Sequence, residues 1–238
     1  MNERHIKSDE TMNRAIKFAR NYTDWVFSSF APHLEKGSAL EVGSGHGNYA
    51  RKLLPLVSRL YVSDIDPAAV ENVRRELSGF GGIEYLVMDG IDPKALRRKV
   101  DNIILVNVLE HIENDGAFIA QCYENLSPGG RLLIFVPAFQ MLFSKIDSQA
   151  GHFRRYARAE LKAKLESAGF AVDKISYFNA VGFFGWLLNK FTKSDIKSSG
   201  VSAQIEIYDR LIPYIKYFDA IMPFLGQSIL AIAKKGSN

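Results

Sequence analysis

One cysteine, Cys122, stands in a chain of 238 residues. A lone thiol closes no intrachain disulfide and builds no cysteine zinc cluster, as expected of a reducing compartment. Long apolar runs are also missing. The most apolar stretch, residues 180–188, is far short of the roughly 18–20 residues that cross a bilayer. The first nine residues are polar and lack a signal-peptide core, so the expected location is the cytoplasm. Charge of one sign is scarce: 30 Lys and Arg stand against 26 Asp and Glu, for a net charge of +4 and a pI near 9.0. The basic residues form no concentrated stripe, so nucleic acid is not an expected partner. The small positive excess suits an acidic substrate or an anionic lipid surface without singling out either.

The composition is otherwise ordinary, 47% apolar and 24% charged, which predicts one soluble domain with a sizeable core. Apolar residues from Met12 to Phe30 recur at helical spacing, with Ser8 or Thr11 as caps. From residue 38 the pattern alternates. Strands are predicted at 39–42, 60–63, 83–88, 103–106 and 132–136, separated by helices and turns, with Asp66-Pro67 capping one helix. This order predicts a mostly parallel sheet with helices on both faces. A helix over 159–168, a sixth strand over 172–178 and a last strand over 228–233 complete seven. Between the last two lies an aromatic-rich stretch, 180–226, too long for a loop. It is expected to form helices, with Pro213 kinking or dividing the second and 193–204 as a polar link. The chain thus reads as a helix over 10–36, a core over 37–178, an apolar insertion or cap over 180–226, and a final strand and tail over 227–238.

The most informative stretch is Glu41-Val42-Gly43-Ser44-Gly45-His46-Gly47-Asn48, where a strand gives way to three alternating glycines and then a helix. Such glycines let the chain turn sharply and admit a ligand close to the backbone. The dinucleotide pattern G-x-G-x-x-G is not met, because Asn48 stands at its third glycine. With acidic Glu41 two places ahead, the stretch resembles motif I of the class I S-adenosylmethionine (SAM)-dependent methyltransferases, including small-molecule enzymes of quinone biosynthesis. Later strand ends match the same family: Ser63-Asp64-Ile65-Asp66, Met88-Asp89-Gly90, Asn107-Val108, and the turn Ser127-Pro128-Gly129-Gly130. The resemblance covers residues 10–178. It implies a Rossmann-like fold, SAM as cofactor and S-adenosylhomocysteine as product. It implies that Gly43, Ser44, Gly45 and Gly47 wrap the amino-acid part of SAM, whose ammonium Glu41 helps hold. Asp64 would accept from the ribose hydroxyls, with Ile65 beside it, Asp89 would lie near the adenine amino group, and Asn107 would face cofactor and substrate. Tyr22, on a helix that covers the cofactor in related enzymes, is a further candidate contact.

Methyl transfer from a sulfonium is an in-line displacement that depends on positioning, and a hydroxyl acceptor must also lose a proton. His152 and His111 are the candidate bases. Glu110, His111 and a distant His152 could also hold a divalent ion, but no metal is expected, since Asn107 stands where a metal-binding E-x-x-E-H pattern has its first glutamate. Arg154, Arg155 and Tyr156 follow His152 in the region where the family places substrate contacts, and they read either as acceptor-binding groups or as a solvated basic turn. Ala157 offers no side-chain cap to the helix after it. The expected acceptor is a small molecule, with an apolar or lipid-like one favoured by the 180–226 stretch. That stretch also suggests contact with a membrane surface or a homodimer partner. No Asn/Asp-Pro-Pro-aromatic stretch follows the fourth strand, which argues against nucleic-acid methylation. A SAM-binding module without turnover and a nicotinamide-dependent oxidoreductase are the alternatives.

Overall fold

The computed structural model describes residues 19–192 and 199–237. The chain order is α1 (Arg20–Phe30), β1 (Ser38–Val42), α2 (Ala50–Leu53), β2 (Arg59–Asp64), α3 (Pro67–Glu76), β3 (Ile83–Val87), α4 (Pro93–Leu96), β4 (Val100–Val106), α5 (Asp115–Asn125), β5 (Leu126–Pro137), α6 (Lys145–Gln149), α7 (Arg158–Ser167), β6 (Ala171–Phe178), α8 (Ala180–Thr192), α9 (Ser199–Ile215), α10 (Phe218–Ile221) and β7 (Ser228–Lys234). The seven strands form one sheet in the order β3-β2-β1-β4-β5-β7-β6. The first five pair in parallel, and β7 inserts antiparallel between β5 and β6. This is the Rossmann-like arrangement expected from the sequence.

The central strands are apolar on both faces because both are covered. Leu40, Ile103 and Leu132 point to one side, where they meet Phe118, Ile119 and Cys122 of α5 and Leu161 and Leu165 of α7. Their neighbours Ala39, Ile104 and Leu133 point to the other, against Val26 and Phe30 of α1, Leu53 of α2 and Val73 of α3. The alternation follows the two-residue period of a strand, and each fully buried Leu, Ile, Val or Phe among them contributes roughly 1.5–3 kcal/mol.

The Ser127–Gly130 turn is absorbed into β5. Val100 pairs with Leu126 and Asn102 with Arg131, so the turn bulges out opposite Asp101 alone. A Cβ on Gly130 would stand 2.9 Å from the Ser127 carbonyl oxygen and 3.1 Å from that of Asp101, which is why this bulge takes glycine.

The insertion is helical, as expected, and it is stitched to the rest of the fold by carboxylates. The expected caps Ser8 and Thr11 and residues 12–18 lie outside the described residues. Helix α1 begins at Arg20 and Ala19 supplies no side-chain cap. Asp209 of α9 takes that place from 187 or more residues away, accepting from the Asn21 and Tyr22 amides at 3.1 and 2.8 Å. Pro213 does not divide α9, for the helix runs to Ile215. Its missing N–H leaves the carbonyl of Asp209, four residues back, without a helical donor, and Asn21 Nδ2 donates to that oxygen instead at 3.1 Å. The polar link expected over 193–204 is shorter at its far end: 193–198 lie outside the described residues and α9 starts at Ser199. Asp219 of α10 in turn caps α8, accepting from the amides of Asn179 and Ala180 at 2.8 Å each.

Candidate active site

The glycine turn begins where β1 leaves the sheet. Gly43, Gly45 and Gly47 have φ of 70°, 51° and 71°, the left-handed region that glycine enters without strain. Space is equally tight. A Cβ at Gly43 would sit 2.7 Å from Val108 Cγ2, and one at Gly47 2.9 Å from Val73 Cγ1. The turn is therefore pressed between α3 and the loop after β4.

Two buried polar groups at this turn lack partners. Glu41 is buried with no hydrogen bond to its Oε2, and Ser44 is buried with none to its Oγ. Burial, and then the neighbouring Asp64 charge, push the Glu41 carboxyl up to about 8. Buried polar atoms are ordinarily paired, so a cationic ligand beside Glu41 and a hydrogen-bonding group beside Ser44 fit the site as built. The glycines, which leave no room for side chains, fit the close approach of such a ligand. These are the demands of the amino-acid end of SAM.

Asp64 ends β2 and is half-buried. Its Oδ2 accepts from the Gly45 amide at 2.9 Å and its Oδ1 from the Asp66 amide at 3.0 Å. It therefore pins the glycine turn to β2, a duty the sequence did not reveal, while each oxygen keeps acceptor capacity. Asp66 caps α3 through the Ala68 amide, with Pro67 in the first turn. Ile65 and Asp89 are exposed at the ends of β2 and β3, brought side by side by the Met88 amide donating to the Asp64 carbonyl at 3.1 Å. Asn107 is exposed at the end of β4 with φ of 53°, its amide donating to Phe135 O at 2.8 Å.

Tyr22 stands at the same edge of the sheet, edge-on to Trp25 and Phe178 at 6.1 and 6.4 Å between ring centroids. Burial pushes its phenol up to about 12 against hydrogen bonds with Ser228 and Asn179. Tyr49 escaped the sequence reading. Burial raises its phenol, and the proximity of Tyr22 and Glu41 raises it further, so these three side chains share one wall.

The loops after β4 and β5 form a second polar centre. A 3-10 turn, Leu109–His111, follows β4. The Glu110 carbonyl accepts from the Phe153 amide at 2.8 Å, which draws the second loop against it. Glu110, His111 and His152 each offer a donor atom within 4.8 Å of the others, and the two imidazoles meet edge to face at 4.6 Å. Glu110 is fully buried with neither carboxyl oxygen hydrogen-bonded. Burial pushes its carboxyl up to about 7, though His152 pulls the other way.

His152 is oriented from behind by Asp147, whose Oδ1 lies 3.0 Å from His152 Nδ1. Asp147 is also fully buried. Burial alone would raise its carboxyl, but His152, Arg155 and the Ser144 amide bring it down to about 2. An ionised carboxylate only accepts, so Nδ1 carries the proton and Nε2 faces Glu110. Arg155 Nε donates to the same Oδ1 at 2.8 Å, and its guanidinium lies 4.8 Å from the ring centre of Trp186 on α8. Asp147 was overlooked in the sequence, although Ser144-x-x-Asp147 is a capping-box spacing and the box forms.

Arg155 and Tyr156 turn inward, and the acceptor-facing role read for them from sequence is not how the structure places them. Both are buried. The Tyr156 hydroxyl is engaged by Leu109 O at 3.1 Å and Asp115 Oδ2 at 3.0 Å. Arg154 donates to Asp115 at 2.9 Å and to the Glu113 carbonyl at 2.7 Å. Arg154 and Tyr156 clamp the second loop onto the first, and Arg155 braces the second loop from within through Asp147 and Ala138 O. Ala157 is the uncapped start of α7, as its sequence suggests.

Residues 12–175 match the family model of a methyltransferase domain. A Mycolicibacterium smegmatis protein named "Probable S-adenosylmethionine-dependent methyltransferase" is 29% identical over 164 residues, 66% of this chain but 61% of that one. Nodulation protein S of Sinorhizobium fredii is 30% identical over 159 residues, 66% of this chain and 70% of its own. Among solved structures, the N-methyltransferase NodS from Bradyrhizobium japonicum bound to S-adenosylhomocysteine superposes with a TM-score of 0.54 at 16% identity, covering 93% of this chain and 85% of that one. A SAM-dependent methyltransferase from Archaeoglobus fulgidus gives 0.59 at 18%, covering 91% and 94%. A glycine turn closed by a strand-two carboxylate, backed by an unpaired buried glutamate and carried on this sheet order, agrees with these matches: the chain belongs to the class I SAM-dependent methyltransferase family, whose cofactor is SAM.

Proposed function

We propose that this protein transfers the methyl group of SAM to an oxygen or nitrogen atom of a small-molecule acceptor with an apolar body. The observation that carries the reading is the juxtaposition of the two polar centres. Val108, which presses on Gly43, lies two residues from Glu110, so the Glu110–His111–His152 group borders the cofactor turn on the side of β4 and β5. When bound, SAM supplies an electrophilic methyl on a sulfonium. Gly43, Ser44, Gly45 and Gly47 cradle its amino-acid end, Glu41 holds the ammonium, and Asp64 accepts from the ribose. Ile65, Asp89 and Asn107 flank the nucleoside and the acceptor, and Tyr22 closes the wall opposite. His152, held in one tautomer by Asp147, and His111 receive the acceptor and its proton. Arg154, Arg155 and Tyr156 hold these groups in place.

Two findings bear on the acceptor. The relatives named nodulation protein S and the NodS N-methyltransferase favour nitrogen. The helices α8–α10 and their flanking turns present Leu188, Ile207, Tyr214, Tyr217, Ile221 and Phe224 to the outside, each 60% exposed or more, which favours an acceptor delivered from an apolar phase. Among the described residues no helix is long and apolar enough to cross a membrane. The test is an assay of S-adenosylhomocysteine release with amphiphilic amines and alcohols as acceptors. Release that needs the acceptor supports the reading. Tight cofactor binding with no release on any acceptor would leave a SAM-binding module without turnover.

Glu41 adds a pH signature. Its carboxyl, raised to about 8, is protonated at pH 6, so pairing with the SAM ammonium releases a proton and affinity rises with pH. Between pH 6 and 7, where an α-ammonium stays charged, the dissociation constant should fall about tenfold. In Glu41→Gln it should be flat over that range. Calorimetry in buffers of different ionisation enthalpy reads both the affinity and the proton. A flat wild-type profile would remove Glu41 from the ammonium site.

A further inference from the structure

We propose that Glu110, His111 and His152 bind a divalent first-row transition-metal ion at the acceptor end of the site. The role of that ion in catalysis rests on the methyltransferase reading above, but its binding does not.

Three observations converge on an ion. Glu110 is fully buried and neither of its carboxyl oxygens has a hydrogen-bond partner. A carboxylate so placed is costly unless a cation compensates it. His152 Nε2 is 4.0 Å from Glu110 Oε1, too far for a hydrogen bond. Donors held about 2.1 Å from one ion stand roughly 3–4 Å apart, and this pair already has that spacing. With His111, all three donors lie within 4.8 Å of one another.

The surroundings of His152 are those of a metal ligand. Its Nδ1 is held by the buried carboxylate of Asp147 at 3.0 Å, which aims the Nε2 lone pair at Glu110. Such a carboxylate behind the imidazole fixes the tautomer and strengthens the nitrogen as a ligand. Asp147 is itself fixed by Arg155 and by both the amide and hydroxyl of Ser144. The two ligand-bearing loops are joined by the Phe153 amide donating to the Glu110 carbonyl. Little is left to be ordered when an ion arrives.

The donor set chooses the ion. Two imidazoles and one carboxylate suit zinc, iron, cobalt or manganese, whereas magnesium and calcium prefer all-oxygen cages. Three protein donors leave at least one coordination position. An acceptor hydroxyl bound there would release its proton to solvent water more readily, in place of transfer to His111 or His152, whose lone pairs then hold the ion, with no change in the oxidation state of the ion.

The test uses tag-free, full-length protein treated with a chelator and dialysed. Titration with cobalt(II) should give visible d–d absorption that saturates at one equivalent and is displaced by zinc(II). Glu110→Gln, which leaves no buried charge behind, should weaken cobalt binding at least about 100-fold. Asp147→Asn, which touches no ion, should weaken it about 10- to 100-fold. Absence of a saturating spectrum in the wild type, or an unchanged titration in Glu110→Gln, would overturn the proposal. S-adenosylhomocysteine titrations on the same samples keep the two readings apart. Metal binding without nucleoside binding would sink the cofactor assignment alone, and the reverse would sink the ion alone.

Discussion

Asp64→Ala is expected to weaken S-adenosylhomocysteine binding by at least about 100-fold, or roughly 2.7 kcal/mol. The Asp64 carboxylate accepts from the Gly45 amide at 2.9 Å and from the Asp66 amide at 3.0 Å, and hydrogen bonds to a charged group are worth about 1.5–3 kcal/mol each. The variant loses the proposed ribose acceptor and releases the glycine turn together, so affinity falls further than loss of one contact would explain. Asp66→Ala is the control. It removes the cap on the Ala68 amide, costs about 1 kcal/mol of stability, and should leave affinity within a few-fold. Calorimetric titration of both variants separates the outcomes. Equal affinity in Asp64→Ala and wild type would displace the ribose from the end of β2.

The fold was legible because its strands are short, apolar and punctuated. The apolar runs at Ala39–Val42 and Ile103–Val106 fall within β1 and β4, and Asp66-Pro67 starts α3 by local chemistry alone. What the sequence hid is non-local. No cap near residue 19 announces the start of α1, because its cap is Asp209, far along the chain. That Pro213 leaves α9 undivided has the same kind of cause: proline disrupts a helix by orphaning a carbonyl, and here Asn21 satisfies that carbonyl. The Pro-Gly-Gly turn reads as a strand boundary, but it is a bulge whose flanks both pair with β4.

The glycine-turn half of the candidate site was legible for a related reason. It is written at the ends of four successive strands, where each residue's place follows from the topology. The second polar centre depends on two loops meeting in space. His111 and His152 are 41 positions apart in the sequence, and no pattern indicates that the Phe153 amide docks on the Glu110 carbonyl. Nor does any pattern tell an arginine that faces substrate from one that neutralises a buried aspartate. Arg154, Arg155 and Tyr156 had the residue types of a recognition cluster, but their partners Asp115 and Asp147 turn them to structural work.

Arg155→Ala should therefore act first on stability, lowering it by about 3–5 kcal/mol, the usual cost of leaving a buried charge without its partner. Arg155 and Asp147 are both buried and 2.8 Å apart. Arg155→Lys should not rescue the loss, because one ammonium cannot replace a planar guanidinium that also reaches Ala138 O and lies over Trp186. Arg154→Ala is the contrast. Asp115 keeps Lys164 at 2.9 Å and the Tyr156 hydroxyl, so the change should cost about 1 kcal/mol or less. Urea unfolding at several pH values distinguishes these and exposes the aspartate itself. The Asp147 carboxyl, held near 2, is depressed below its unfolded value of about 3.9. Its contribution of about 2–3 kcal/mol is fully present above that value and is lost as pH falls through about 2. Wild type should show this acid-side loss and Asp147→Asn should lack it. An Arg155→Ala protein as stable as wild type would mean that water reaches Asp147, and the fixed orientation of His152 that the second polar centre relies on would go with it.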